Sequence, residues 1–352
     1  MSTDKGRDGP TEEKREVSRD AHKNLGDGDQ HIDPSTELQA EPDADSDPPR
    51  GGVGLRVAVY VLSVLLAISV AASALLHFID GPQAVEQMTA PDADVEPMLF
   101  LWLRLATLPV VIAVTLFFIT RLDKRHPREI GLCLPAASGG HGLLACLGAA
   151  VSLFFWLLLA DPWMESTLVD FSSEDLMLDP WLPVGASGLL SVGLGFLGLA
   201  FLDELIFRGY VYTAFRERFA WVHAAGLANL LSVALFAGHP QIEAAGVINA
   251  FLLGLALAAM RERTGSLLMP SLFLAFWNFL LGCGLSLPVS GSLFPRLYNH
   301  QISGPVGVTG GDFGPEGSWL LTGILLGLVM MLAWWVEKDV EPSSSTSDPA
   351  PA

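Results

Sequence analysis

What constrains this chain most is a succession of apolar runs, each close to the roughly 20 residues that carry an α-helix across a hydrocarbon core. They fall at about 55–78, 98–119, 140–160, 185–207, 221–239, 243–260, 267–287 and 317–336, and the fourth can continue as helix to Phe215. Lipid offers no water to an open backbone, so such runs must satisfy their own amides as helices. The expected fold class is all-α: a polytopic transmembrane helix bundle of about eight spans. Composition points the same way. Of the 352 residues, 51% are hydrophobic and only 16% are charged, and mean hydropathy is +0.43. That is too apolar for a soluble domain of this size.

The segments between the runs alternate in charge. RLDKRHPRE (121–129) and the two RER triplets at 216–218 and 261–263 are basic; IDGPQAVEQMTAPDADVE (79–96) and DPWMESTLVDFSSEDLMLDP (161–180) are acidic. Basic loops belong on the cytoplasmic side. This predicts an integral, multi-pass protein with both termini in the cytoplasm, with Arg50 and Arg56 flanking the first span on that side.

Outside the runs, residues 1–52 are rich in Asp, Glu, Gly, Pro and Ser, and read as a disordered acidic tail, as do residues 338–352. Much of the net charge of −18 lies in such solvated segments, and no basic patch points to nucleic acid. The first apolar run begins near Val53, too late for a signal peptide, and is expected to be retained as a span. Residues 53–184 carry the first three spans. Residues 288–337 hold a Gly- and Pro-containing loop, either an ordered lid or a re-entrant piece, and the last span. Cys133, Cys146 and Cys283 are scattered and form no CxxC pair, so neither a disulfide framework nor a thiolate metal site is indicated.

Ionisable residues inside a membrane are costly and usually face a cavity or one another. His77 and Arg104 lie singly in the first and second spans, whereas LDELIFRGY (202–210) brings Asp203, Glu204 and Arg208 together. Glu204 and Arg208 are four apart and share a helix face. Asp203 is turned about 100° away and needs a partner on another helix or a wet cavity. Counted from Arg216, Glu204 lies roughly 18 Å inside the membrane, too deep for an interfacial pair. Asn278 in the seventh run comes out at a similar depth, about 20 Å, and must be hydrogen-bonded if buried. His239, after the fifth run, comes out about 10 Å deeper if that run starts at Trp221 and stands upright. Ser187, Ser191 and Gly195 place small residues at four-residue spacing, a face that lets helices approach closely.

Together these pieces resemble the CPBP family of intramembrane proteases, which includes CAAX prenyl endopeptidases and bacteriocin-processing proteins, with the pattern EExxxR, FxxxH and HxxxN/D on separate helices. DELIFR (203–208) resembles the first motif, LFAGH (235–239) the second, and ERTGSLLMPSLFLAFWN (262–278) the approach to the third. Three departures stand out. Asp203 replaces the first Glu, Leu235 replaces the Phe of FxxxH, and Leu274 stands where the third motif has His.

The resemblance implies an intramembrane peptidase core at residues 185–287, hydrolysing peptide bonds of transmembrane or lipidated proteins. Asp203 or Glu204 would act as base, with His239 assisting. Asn278 would stabilise the oxyanion, and Arg208 would neutralise and position the acids. A divalent metal such as zinc would take His239 and Glu204, although the usual three protein ligands are not evident, and His77, His141 or His300 would have to supply the group absent at Leu274. A non-catalytic membrane scaffold or chaperone is the alternative that Leu274 favours. A proton-coupled transporter, with the buried acids as a relay, is the third.

Overall fold

The computed structural model describes residues 52–80, 97–134, 138–169, 186–236, 243–297 and 299–338. The two acidic tails lie almost wholly outside them, as do most of the acidic loops at 79–96 and 161–180.

Eight apolar helices make up the bundle. In order they are α1 (Val53–Asp80), α2 (Pro97–Phe117), α3 (Ser138–Ala160), α4 (Ala186–Glu204), α6 (Trp221–Phe236), α7 (Ala244–Thr264), α8 (Leu268–Phe279) and α10 (Trp319–Glu337). The short α5 (Tyr212–Arg216) prolongs α4, and α9 (Val306–Thr309) is a single turn. Among the described residues, six helices are long and apolar enough to cross a membrane; Trp221–Leu235 and Leu268–Gly284 are shorter apolar helices. The all-α membrane bundle is therefore as the hydropathy pattern predicts, but α8 with its π turn, ending at Gly284, falls short of the full span expected at 267–287, and the end of the run expected at 221–239 lies outside the described residues. The fourth run does continue as helix to Arg216.

Three helices change their winding. α2 ends in a π-helical turn (Phe118–Leu122), α4 passes into one at Leu205–Val211 before α5, and α8 ends in one at Leu280–Gly284. Gly265, at φ +67°, closes α7 in the left-handed conformation that an L side chain resists. Ser318 caps α10, its Oγ accepting from Leu321 N at 3.2 Å.

α8 lies at the centre, packed on α3, α4 and α7, while α10 packs on α7 and α3, and α1 packs chiefly on α2 and also meets α5. This explains why α8 is apolar nearly all round, as a helix enclosed by others must be. Its Phe273 and Trp277 stack at 6.0 Å in a core with Trp156, Phe196, Leu257 and Leu325. A second core joins α1, α2 and the π turn of α4, with Tyr60 stacked on Tyr210 at 3.9 Å. Of the small-residue face expected on α4, Gly195 allows close approach, since an added Cβ would lie 2.4 Å from Leu101 of α2; Gly198, outside that face, does the same, 2.2 Å from Leu105.

At the basic end the charges are knitted together. Arg56 pairs with Asp123 at 3.0 Å and with Glu217, Arg125 reaches Glu217 at 3.2 Å, and Arg216 reaches Glu262 at 2.8 Å. Arg56 and Arg216, expected from their sequence positions to mark the interface, are held in ion pairs.

At the other end, the loop after α8 is folded. β1 (Glu165–Val169) and β2 (Asn299–Ser303) form an antiparallel pair with Glu165 opposite Ser303. Residues 311–317 make two 3₁₀ turns. Gly314, at φ +84°, passes so close to Pro288 that a Cβ would lie 2.3 Å from that carbonyl oxygen. The cap descends into the bundle: Glu316 Oε1 accepts from Trp277 Nε1 at 3.0 Å, and its Oε2 from Ser290 N at 2.8 Å and Ser290 Oγ at 2.7 Å. Asn249 of α7 donates to the carbonyl oxygens of Glu316 and Ser318, both at 2.8 Å. Of the two readings of this loop, lid or re-entrant piece, the contacts with Trp277 describe a fixed cap that reaches into the bundle.

Candidate active site

Several of the motif positions meet at a cavity of about 830 Å³ between the helices and under the cap. Asp203 and Arg208 from α4 and its π turn, and Leu274 and Asn278 from α8, all line it. The volume suits a ligand of side-chain to short-peptide size. Leu65 of α1 and Leu235 of α6 line it while 40% and 46% exposed, so the chamber is open on that side.

The two acids of DELIFR part company. Glu204 is fully buried and is not on the cavity wall. Its Oε1 lies 3.1 Å from Nη1 of Arg208, the pairing that their four-residue spacing predicts. Arg208 in turn donates from Nη2 to Asn229 Oδ1 of α6 at 2.9 Å. The guanidinium has room because α7 carries Gly254 opposite it; a Cβ there would lie 2.5 Å from Asn229 Oδ1 and 2.6 Å from Arg208 Nη2. Glu204, Arg208, Asn229 and Gly254 thus lock α4, α6 and α7 together. Asp203, offset by one residue, faces the cavity instead. Its carboxylate makes no hydrogen bond or ion pair among the described residues, and the charges of Arg104 and Arg208 act on it.

Asn278 is 8% exposed, lies on the cavity wall, and its amide has no hydrogen bond among the described residues. Leu274, one turn earlier, shares that face. An imidazole at position 274 would therefore project into the same space; the leucine there offers no polar group.

Both polar helices change winding beside the site. The π turn of α4 begins at Leu205, directly after Glu204, and that of α8 begins at Leu280, two residues after Asn278. Such turns are frequent at functional sites, since they re-aim side chains that a regular helix would stack.

His239 lies outside the described residues; Leu235, four positions earlier, is on the cavity wall. The other histidines are elsewhere. His77 is in the last turn of α1, His141 is in the first turn of α3, and Nδ1 of His300 on β2 lies 3.0 Å from the carbonyl oxygen of Leu285. None of the three lines the cavity. Among the described residues, no three His, Cys, Asp or Glu side chains gather in a way that could hold a metal ion.

The motifs did not reveal four contributors. Asn229 and Gly254 carry a weak signal, a polar residue and a helix-interior glycine in apolar runs. Glu316 stands out only as one of two acids, with Asp312, in GDFGPEGSW, and Asn249 only as an amide in an apolar helix.

Residues 185–280 match the family model described as type II CAAX prenyl endopeptidase Rce1-like. The matched segment runs from the start of α4 to the end of α8 and contains Asp203, Glu204, Arg208, Leu274 and Asn278. It supports the resemblance to the CPBP intramembrane proteases carried by DELIFR, and with the apolar helices it supports a multi-pass integral membrane protein. No curated protein and no solved structure matches the chain.

Proposed function

We propose that the cavity hydrolyses peptide bonds of membrane-associated protein substrates, with Asp203 as the base. One observation carries this reading: a carboxylate and an amide, Asp203 and Asn278, neither with a hydrogen bond among the described residues, face one cavity from two different helices. Asp203 takes a proton from water as the oxygen attacks the scissile carbonyl. The Asn278 amide donates to the oxyanion that forms. The proton then passes to the departing amine as the C–N bond breaks, with His239 assisting. Glu204 does not touch substrate in this scheme; its carboxylate fixes Arg208, which contributes positive charge to the cavity wall.

A divalent metal would need ligands beyond the described acids. The Glu204 carboxylate is taken up by Arg208, and the remaining donors fall short of the three ligands usual for catalytic zinc. The arginines at 56, 216, 261 and 263 support placing the basic end, and both termini, in the cytoplasm.

The test uses protein purified in detergent and a library of single-span and lipidated peptides. Wild type is expected to cleave some of them, and Asp203→Asn to lose about 10²- to 10⁴-fold in rate. Equal cleavage by Asp203→Asn would overturn the assignment of the base. A second reading, a non-catalytic scaffold that holds membrane segments of partners, is favoured by Leu274, the apolar residue on the wall where the family pattern has histidine. Peptide binding without cleavage by wild type would establish it.

A further inference from the structure

Two charges in the cavity are left over once the paired ones are set aside. Arg208 is engaged by Glu204 and Asn229, and Glu316 accepts three hydrogen bonds from Trp277 and Ser290. Arg104 of α2 and Asp203 of α4 both line the cavity, and neither has a hydrogen bond or ion pair among the described residues.

The packing register separates them. Leu105 seats against Gly198, which sets Arg104 at nearly the level of Gly198. Asp203 follows Gly198 by five residues, so Arg104 lies about 7 Å nearer the cap at 1.5 Å per residue. The guanidinium turns still farther that way, its carbon 5.1 Å from the ring centroid of Phe100, one turn closer to the cap. A cation thus stands on the cap side of the base, half-buried, over the Phe100 ring and within the field of Asp203, in a chamber whose other walls are mostly apolar. None of its N–H donors is hydrogen-bonded among the described residues, so they are open to a ligand.

We propose that Arg104 is a specificity residue that receives a carboxylate of the bound peptide, on the cap side of the bond presented to Asp203. The planar guanidinium can take a carboxylate through two parallel hydrogen bonds, and stacking on Phe100 leaves its edge free to do so. The carboxylate can be a chain terminus or an Asp or Glu side chain. This inference rests on reading the cavity as a peptide site; it does not require that the peptide be cut.

The experiment therefore reads binding as well as cleavage. Fluorescent single-span peptides are compared as free acid and C-terminal amide, and with Asp or Asn near that end. Wild type is expected to bind one of the carboxylate forms at least about tenfold more tightly than its neutral counterpart, and which pair shows the preference identifies the source. Arg104→Gln is expected to bind both forms alike, at the wild-type level for the neutral peptide, while Arg104→Lys keeps part of the preference. Preference without cleavage would retain the inference and sink the peptidase. Equal binding of acid and neutral peptides by wild type, or a preference that survives in Arg104→Gln, would overturn the inference whatever is cleaved.

Discussion

At the basic end, Arg56 sits between Asp123 and Glu217, and Arg216 reaches Glu262; in the cavity, Arg104 and Asp203 face the same space without touching. The residue types are the same and the arrangement is opposite. At the basic end each pair draws chain ends from different helices together; Arg216–Glu262, the most exposed, is worth little, about 0–1 kcal/mol, whereas Arg56 and Asp123 are largely enclosed. In the apolar interior an attraction between opposite charges is much stronger, so charges held apart there are held by the fold and not by their own preference. Glu204 and Arg208 stand between the two cases: deep, paired, and stabilised by Asn229. The comparison separates charges that assemble the bundle from charges kept available for a ligand.

It can be broken most sharply at Glu204. Glu204→Ala should leave Arg208 as an unpaired buried cation and cost about 3–5 kcal/mol, read as unfolding free energy in detergent. Asp203→Leu should cost less than about 1 kcal/mol, or stabilise, because it removes an unpaired charge. If the two variants fall together, the distinction between them is wrong. Gly254→Ala tests the next layer. Its methyl would press on both Arg208 and Asn229, and a loss of about 1–3 kcal/mol is expected, with cleavage falling in parallel as α4 and α6 separate. Leu274→His probes the cavity side. It should raise cleavage by about tenfold or more if position 274 meets the peptide as its wall position implies, and no change would move the peptide elsewhere in the chamber. The smallest effect is expected at Arg216→Ala, at most about 1 kcal/mol and vanishing in high salt, since Arg216 is 38% exposed.

Much of this was legible in the residues. Length and polarity of the apolar runs dictate helices, and the i,i+4 spacing of Glu204 and Arg208 dictates their pairing. The angular offset of Asp203 dictates that it look elsewhere, and the cavity is where it looks. What was hidden depends on contacts between distant segments. That Trp277 would hold Glu316, and so draw the cap into the bundle, follows from neither local sequence. Nor does the void at Gly254, which has meaning only once Arg208 arrives from another helix. The shortness of α8 was hidden because Leu285 and Leu287 keep the run apolar after the helical winding has ended at Gly284.

The π turn at Leu205–Val211 has one more consequence. A residue added to or removed from a regular helix rotates everything beyond it by about 100°. The looser winding lets the two halves of this long helix be indexed separately: Gly195 and Gly198 are phased to α2, and the half after Glu204 is phased to α6 and to Tyr60 of α1. The acids sit at the seam between those two phases. Each neighbour can thus be repacked over evolution without dragging the other out of alignment, while the seam itself tolerates no change in residue count.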